Sequence, residues 1–237
     1  MSETDLHAFV ALARQRRAVR HFKSDPIDPA MLAEMLDAAR WAPSGYNLQP
    51  THFVVVRKPK RREALRRACL DQPQITEAPV IVVIAGDRRV VDHHFDRVLE
   101  ADREAGAISP EYEQLMRRVV PLGFGTGPLG LGWLAKLIAA PLLRLMMAVP
   151  SLPAIERKAW LARQASLCAM NFMMAAAAAG LDSCPMEGFD ERRVRRVLAM
   201  PRWMVPLIIV PVGISSDVPA GKTRLPASDL VHYERWR

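Results

Sequence analysis

Three arginines stand within five residues in the segment Arg16-Arg17-Ala18-Val19-Arg20-His21-Phe22. The segment ends a helix that apolar side chains at helical spacing predict over residues 5–17. Guanidinium groups present fixed forks of donors that match phosphate geometry, and a hydrogen bond to a charged group contributes about 1.5–3 kcal/mol. In isolation, such a segment is typical of a solvated helix end, so its meaning depends on the motifs that accompany it.

Three other segments combine glycine or proline with polar side chains between predicted elements. They are Ala42-Pro43-Ser44-Gly45-Tyr46-Asn47-Leu48-Gln49-Pro50, Cys184-Pro185-Met186-Glu187-Gly188-Phe189 and Gly221-Lys222-Thr223-Arg224-Leu225-Pro226. Taken in this order with residues 16–22, these segments resemble the nitroreductase family of FMN-dependent enzymes. The resemblance covers about residues 8–103 and 158–227, and the middle of the chain does not match.

Local patterns predict more helices than strands. Asp28 before Pro29 is typical of a helix N-cap and first helical position, and the β-branched run Pro79–Ala85 predicts a buried strand. The long apolar segment 154–179 predicts a helix packed closely on all sides. The predicted helices span 5–17, 29–41, 58–69, 91–104, 110–118, 154–179 and 190–199, and the strands span 51–56, 79–85 and 205–212.

Helices that separate the strands favour a layered sheet with helices on its faces. The resemblance implies the nitroreductase-like form of this α+β fold, with a central, mostly antiparallel sheet and a helical lid insertion. It also implies one FMN-binding domain over 1–237 and an intertwined homodimer with the flavin at the subunit interface. Within that domain we expect 105–155 to be an inserted hydrophobic lid and 214–237 to be an extended C-terminal tail.

The resemblance implies a role for each motif. The first and last motifs would hold the FMN phosphate through Arg16, Arg17, Arg20, Lys222 and Arg224, with Ala18 standing where the family often has a small hydroxyl. The second would reach the partner's flavin through Pro43, Ser44, Gly45 and Asn47. The third would back the isoalloxazine ring through Pro185, Met186, Glu187 and Gly188 and offer backbone N–H groups near N5 and O4.

The contact with the flavin pyrimidine edge departs from the family pattern. Asp71 occupies the position that usually offers an amide, and Gln74 occupies the one that often carries Lys. An ionised Asp cannot donate a hydrogen bond. Either Gln72 or Gln74 therefore takes over this contact, or the contact differs from that of the family.

The resemblance implies an FMN-dependent oxidoreductase that passes electrons from NADH or NADPH to a small acceptor, such as a nitroaromatic or quinone, by a ping-pong mechanism. No side-chain acid or base is required, so the catalytic group would be flavin N5. Two alternatives stay open. One is a specialised flavoenzyme of the same fold, acting in dehalogenation or flavin fragmentation, and the other is a non-catalytic FMN-binding or membrane-surface module.

Composition bounds the class of protein. A chain of 237 residues, half hydrophobic and 24% charged, can bury a sizeable core, which excludes global disorder. Its three cysteines lack CxxC spacing and no export signal is evident, so we expect a cytoplasmic protein without a disulfide scaffold or zinc cluster. The net charge of +8 is explained in good part by cations around one phosphate, so no nucleic-acid partner is expected.

The segment 119–155 is apolar, and its prolines and glycines predict irregular or broken structure. We interpret it as part of the lid. The competing interpretation is an interfacial anchor on the inner membrane surface, with Trp133 among the headgroups and Lys136 and Arg144 facing anionic lipid.

Two other patterns carry little weight. Residues 125–130 match G-x-G-x-x-G but follow no predicted strand, which argues against a dinucleotide-binding turn. The pair His93-His94 lies on a predicted helix, where adjacent side chains point about 100° apart. We therefore expect no metal site from this pair.

Overall fold

A four-stranded sheet lies at the centre of the computed structural model, which describes residues 3–125, 132–146, 148, 153–217 and 221–236. The strand order is β1-β2-β4-β3, and all three neighbouring pairs are antiparallel. The strands are β1 (Thr51–Val56), β2 (Val80–Asp87), β3 (Asp182–Ser183) and β4 (Met204–Gly213). The expected antiparallel α+β sheet is therefore confirmed.

Helices surround this sheet in the order that the sequence predicts. Asp28 accepts a hydrogen bond from the backbone N–H of Ala30 at 2.9 Å, which confirms the predicted N-cap. The helices are α1 (Glu3–Gln15), α2 (Pro29–Arg40), α3 (Pro59–Ala68), α4 (Gln74–Glu77), α5 (Val90–Glu104), α6 (Pro110–Phe124), α7 (Gly132–Arg144), α8 (Arg157–Ala178) and α9 (Glu191–Val197).

Two hydrophobic layers cover the two faces of the sheet. Val82 and Ile84 of β2 pack with Phe172 of α8 in a cluster that α2 completes. The alternate residue Val83 packs on the other face, with Leu65 of α3. Because side chains alternate along a strand, this arrangement buries all eight residues of β2.

Where the structure describes the segment 119–155, the chain is more helical than we expected. Helix α6 continues through Pro121 to Phe124, and α7 contains Pro141. A proline inside a helix removes one backbone hydrogen bond, but tertiary packing offsets this cost in α6, where Val120 and Phe124 are buried in a cluster with α5 and α8. The sequence pattern around a proline does not reveal such packing.

In the competing anchor interpretation Lys136 would face anionic lipid, and the structure places it elsewhere. Its ammonium group donates to the carbonyl oxygens of Leu122 and Gly125, each at 2.5 Å, at the C-terminal end of α6. Cations are favoured at that end of a helix because its last carbonyls have no intrahelical partner. Lys136 therefore joins α7 to α6.

Helix α8 is buried along most of its length, but not on every side as expected. Leu167 and Met170 are 44% and 42% exposed, and they lie on one face with the exposed residues Arg163 and Ser166. No described helix is long and apolar enough to cross a membrane. The G-x-G-x-x-G match at 125–130 falls largely outside the described residues.

Gly86 lies where β2 meets α8, and an added Cβ there would stand 2.9 Å from Leu161 Cβ. We expect Gly86→Ala to lower the free energy of unfolding by about 1–3 kcal/mol, because the core must shift to admit the methyl group. The matched control is Gly123→Ala in α6, where nothing lies within 4 Å of the added Cβ. That variant should be neutral or stabilised by up to about 1 kcal/mol.

Chemical denaturation of both variants measures the two changes. Equal effects of the two substitutions would contradict the described packing of β2 against α8.

Candidate functional site

The arginine segment lies beside β3 because α1 ends at Gln15, earlier than the predicted boundary. The N–H of Val19 donates to Ser183 O at 3.2 Å, and Ala18 forms an isolated parallel bridge with Ser183. Farther along, Lys23 N donates to Ile214 O at 2.8 Å. The segment is therefore extended and fixed against the end of the sheet.

The C-terminal tail returns to the same place through Lys222. Its ammonium group donates to the carbonyl oxygens of Ala13, Arg14 and Arg16 at 2.9, 3.2 and 2.6 Å. These carbonyls lie at the C-terminal end of α1, where cations satisfy otherwise unpaired acceptors. Lys222 therefore fixes the tail to the end of α1.

Several cations surround Lys222. Burial lowers the pKa of Lys222, and the charges of Arg16, Arg224 and Arg17 lower this pKa further. The Nε and Nη1 atoms of Arg16 are buried without a hydrogen-bond partner. A buried, unpaired donor of a charged group is costly. These donors therefore fit an anion with several acceptor oxygens, such as a phosphate monoester.

The structure thus brings together four of the five expected phosphate ligands. Arg20 is exposed and lies near Cys184, and its contact with the phosphate stays a prediction. Sequence reasoning also missed Ser183. Its backbone pairs with Ala18, and its buried hydroxyl has no hydrogen-bond partner. Its only sequence signal was its place just before the Cys184–Phe189 motif.

A second cluster forms where the Cys184–Phe189 loop meets the end of α3. Gln72 Nε2 donates to Gly188 O at 3.1 Å, and Gln74 Nε2 donates to Gln72 Oε1 at 2.9 Å. Gln74 is only 4% exposed, and its Nε2 also contacts Met186 Sδ at 3.6 Å. The structure therefore brings both glutamines to the loop that the sequence predicts to back a flavin ring.

Asp71 takes no part in this cluster. Its side chain is 71% exposed, and its carboxylate lies 4.0 Å from Arg66 Nε. Both Leu70 and Asp71 have positive φ angles, 56° and 54°, which turn the chain just before Gln72. The carboxylate thus remains at the surface while the glutamines point to the loop.

The loop itself is held by the sheet. Met186 and Ile209 exchange backbone hydrogen bonds of 2.8 and 3.0 Å, and Asp190 N donates to Ala68 O at 2.8 Å. In the part of the chain that the structure describes, the N–H groups of Glu187 and Gly188 have no acceptor. Two fixed, adjacent N–H groups are suited to a ligand that carries negative charge.

Cys184 packs beside this loop as a buried side chain. Burial raises the pKa of the Cys184 thiol, although the nearby Arg20 opposes this rise. Pro185 and Glu187 are exposed next to it. A buried thiol with a raised pKa is a poor nucleophile, so Cys184 acts here as a packing side chain.

The Pro43–Gln49 loop is fixed in a third place, against α5 and α8. Gly45 N donates to Gln164 Oε1, Asn47 Nδ2 donates to Asp102 Oδ1 and Ser44 Oγ accepts from Gln49 N, each at 2.9 Å. Pro43 is exposed at the start of the loop. A Cβ at Gly45 would stand 3.3 Å from Trp160 Nε1, so the loop approaches α8 closely.

Comparison with known proteins identifies relatives of the whole chain. The model of the Nitroreductase family matches residues 13–214. The NADH dehydrogenase of Thermus thermophilus is 30% identical over 219 residues, which are 92% of each chain. A Bacillus subtilis protein that carries the name NAD(P)H nitroreductase MhqN is 27% identical and covers 95% of this chain and 98% of its own.

A solved structure shows the same fold. The nitroreductase from Exiguobacterium sibiricum, determined in complex with FMN, superposes with a TM-score of 0.73 at 20% identity. The match covers 95% of this chain and 97% of that one.

We expect inorganic phosphate to raise the Tm of the ligand-free chain, because an ion that binds only the folded state stabilises it. The gain is about 1.4 kcal/mol for each tenfold excess over the dissociation constant. Arg16→Met removes the two buried donors and should abolish this rise. Arg14→Met, which changes an exposed residue in the last turn of α1, should retain it.

Calorimetry in phosphate and in chloride, at one pH and ionic strength, provides the measurement. A rise that persists in Arg16→Met would contradict the assignment of the anion site.

Proposed function

Because the chain belongs to the nitroreductase family, we propose that it transfers electrons from NADH or NADPH through FMN to a small acceptor, such as a nitroaromatic or quinone. Membership in the family makes the chain a flavin-dependent oxidoreductase. Beyond this membership, we propose the class of electron acceptor and the order in which the two substrates react.

The observation that carries the proposal is the pair of buried, unpartnered donors on Arg16. They lie among cations close enough to Lys222 to lower its pKa, and that lysine is itself fixed to the end of α1. An FMN phosphate at this place would pair with Arg16, Arg17 and Arg224. The proposal thus gives a ligand to a charge cluster that is otherwise costly to bury.

The rest of the flavin site follows from chain connectivity. Ser183, which binds the arginine segment, lies three residues before Met186 in the loop. The Cα atoms of these two residues are therefore at most about 11 Å apart. The Gln72–Gln74 pair would meet the pyrimidine edge, in place of the amide that the family usually has at Asp71. The N–H groups of Glu187 and Gly188 would meet the ring near N5 and O4.

When bound, FMN supplies the two-electron chemistry, accepting a hydride at N5 and passing the electrons to the acceptor. The chain's own residues act by binding and orientation. Arg16 and its neighbours hold the phosphate, while Gly188 allows the backbone to approach the ring. No side-chain acid or base is needed in this scheme, and no residue is assigned as catalytic.

In a ping-pong order, NAD(P)H and the acceptor would use the same face of the flavin in turn. NAD(P)H would bind against this face first, and the acceptor would take its place after the nicotinamide leaves. Helices α6 and α7 would lie over this face as a lid, which is the role that we propose for 105–155. Helix α7 fits such a role because it exposes a row of apolar side chains, among them Trp133, Ile138 and Leu142.

We also propose that the active form is a homodimer. Leu167 and Met170 of α8 are exposed, as are Leu6 and Phe9 of α1, which packs against α8. Exposed apolar side chains on two helices that pack together are suited to an interface. The tail adds to it, because Tyr233 and Trp236 are 83% and 86% exposed, and these residues would wrap around the partner.

The function is tested first by colour. We expect purified chain to be yellow, or to become so with added FMN, and to bleach when NADH or NADPH is added without oxygen. Initial rates at several acceptor concentrations should give parallel double-reciprocal lines. A colourless preparation that takes up no FMN would contradict the proposal.

A variant of Arg224 tests the contact with the FMN phosphate. Arg224→Ala should weaken FMN binding by about 10- to 150-fold, the equivalent of one charge-assisted hydrogen bond. Arg14→Ala is the matched control on exposed surface and should leave the dissociation constant unchanged. Fluorescence titration with FMN gives both values.

The dimer is tested at α8. Met170→Lys should dissociate it, because an interface cannot bury an unpaired ammonium group without a large penalty. Met170→Leu keeps the apolar surface and should leave the dimer intact. Analytical ultracentrifugation measures the mass of each variant, and a monomeric native chain would refute this part of the proposal.

A further inference from the structure

Three metal-ligating side chains meet at the end of β2, beside the Pro43–Gln49 loop. His52 lies on β1 directly opposite Ala85 of β2, and Asp87 follows Ala85 by two residues on the same face. His94 comes from the start of α5 and covers this face. One ligand atom from each of His52, Asp87 and His94 lies within 4.8 Å of the other two.

Each histidine has a nitrogen available in this arrangement. His52 Nε2 is buried without a hydrogen-bond partner. His94 Nδ1 lies 3.1 Å from the carbonyl oxygens of both Leu48 and Gln49, so this nitrogen carries the proton and donates. The remaining nitrogen, Nε2, is then a free lone-pair donor, as in metal sites where a carbonyl orients the ligating ring.

Two groups outside the cluster orient the carboxylate of Asp87. The residue is 2% exposed, and its carboxylate accepts from Arg89 N at 2.7 Å and contacts His93 Nδ1 at 2.5 Å. A buried carboxylate oriented by a histidine and a backbone N–H is preorganised for a further positive partner. The nearest candidates for that partner, His52 and His94, are suited to share a cation with it.

We propose that His52, Asp87 and His94 bind a divalent transition-metal ion of the zinc class, with a fourth position left for water. Two imidazoles and one carboxylate are a usual donor set for such ions. The ion would connect β1, the end of β2 and the start of α5. Through His94 it would also hold the backbone of Leu48 and Gln49, at the end of the Pro43–Gln49 loop.

The cluster must close slightly on binding. Ligand atoms about 2.0–2.1 Å from a tetrahedral ion stand about 3.4 Å apart. The widest pair, at up to 4.8 Å, would therefore approach by up to about 1.4 Å. An ion could enter at His94, which lines a cavity of about 240 Å³ together with Gln49 and Arg97.

The pair His93-His94 gave no reason to expect this site, because adjacent side chains on a helix diverge. The structure shows the same divergence, since His93 contacts Asp87 from one side while His94 faces His52. The ligands come from three separate elements, so their assembly has no sequence spacing to reveal it.

Zinc binding to the FMN-loaded chain tests the proposal. The protein is purified without a polyhistidine tag, treated with a chelator, dialysed free of it and equilibrated with Zn²⁺ at graded concentrations. We expect one Zn²⁺ per chain by metal analysis and a Tm that rises with Zn²⁺ concentration. Absence of stoichiometric binding by the unmodified chain would overturn the proposal, whatever the variants do.

Zinc binding by histidine variants shows where the ion lies. His52→Ala and His94→Ala should each weaken Zn²⁺ binding by more than 100-fold, and His93→Ala, which removes only an orienting contact, by about 10- to 100-fold. His7→Ala on exposed α1 is the control and should leave binding unchanged. Binding that survives His52→Ala and His94→Ala at full affinity would place the ion elsewhere and refute the assignment.

Discussion

The burial of β2 on both faces is the constraint on which the rest of the structure depends. A strand with all eight residues buried needs helices on either side, and α2, α8 and α3 fill these positions. The two ends of the strand then become the places where polar groups collect. Gln72 and Gln74 lie on the chain that enters β2, while Asp87 ends it. The apolar middle of one strand therefore separates the Gln72–Gln74 pair from the histidine cluster.

Much of this fold could be predicted because its signals are local. The N-cap at Asp28 and the β-branched run of β2 depend on neighbours a few residues away, and both were placed to within a few residues. The helix through Pro121 and the contacts of Lys136 were not predicted because their setting is tertiary. The packing of Phe124 against Trp160 sustains the helix beyond the proline, and the carbonyls of α6 capture the ammonium group.

The candidate site was likewise predicted only in part. Motif resemblance named the cations, the glutamines and the loop, and it could do so because each is a short segment in a fixed order. Only the folded chain shows which of these cations gather around Lys222. Motif resemblance could not find Ser183 or the His52 cluster, because their partners lie on other elements.

Lys222 joins parts of the chain that are 209 residues apart, since its ammonium group binds Ala13 O at the end of α1. During synthesis on the ribosome, the N-terminal helix and its arginines emerge long before the lysine. The anion site therefore cannot close until residue 222 has been made and has folded back onto α1. A nascent chain shorter than this would carry the arginines without the lysine that fixes them, so it would hold FMN only weakly.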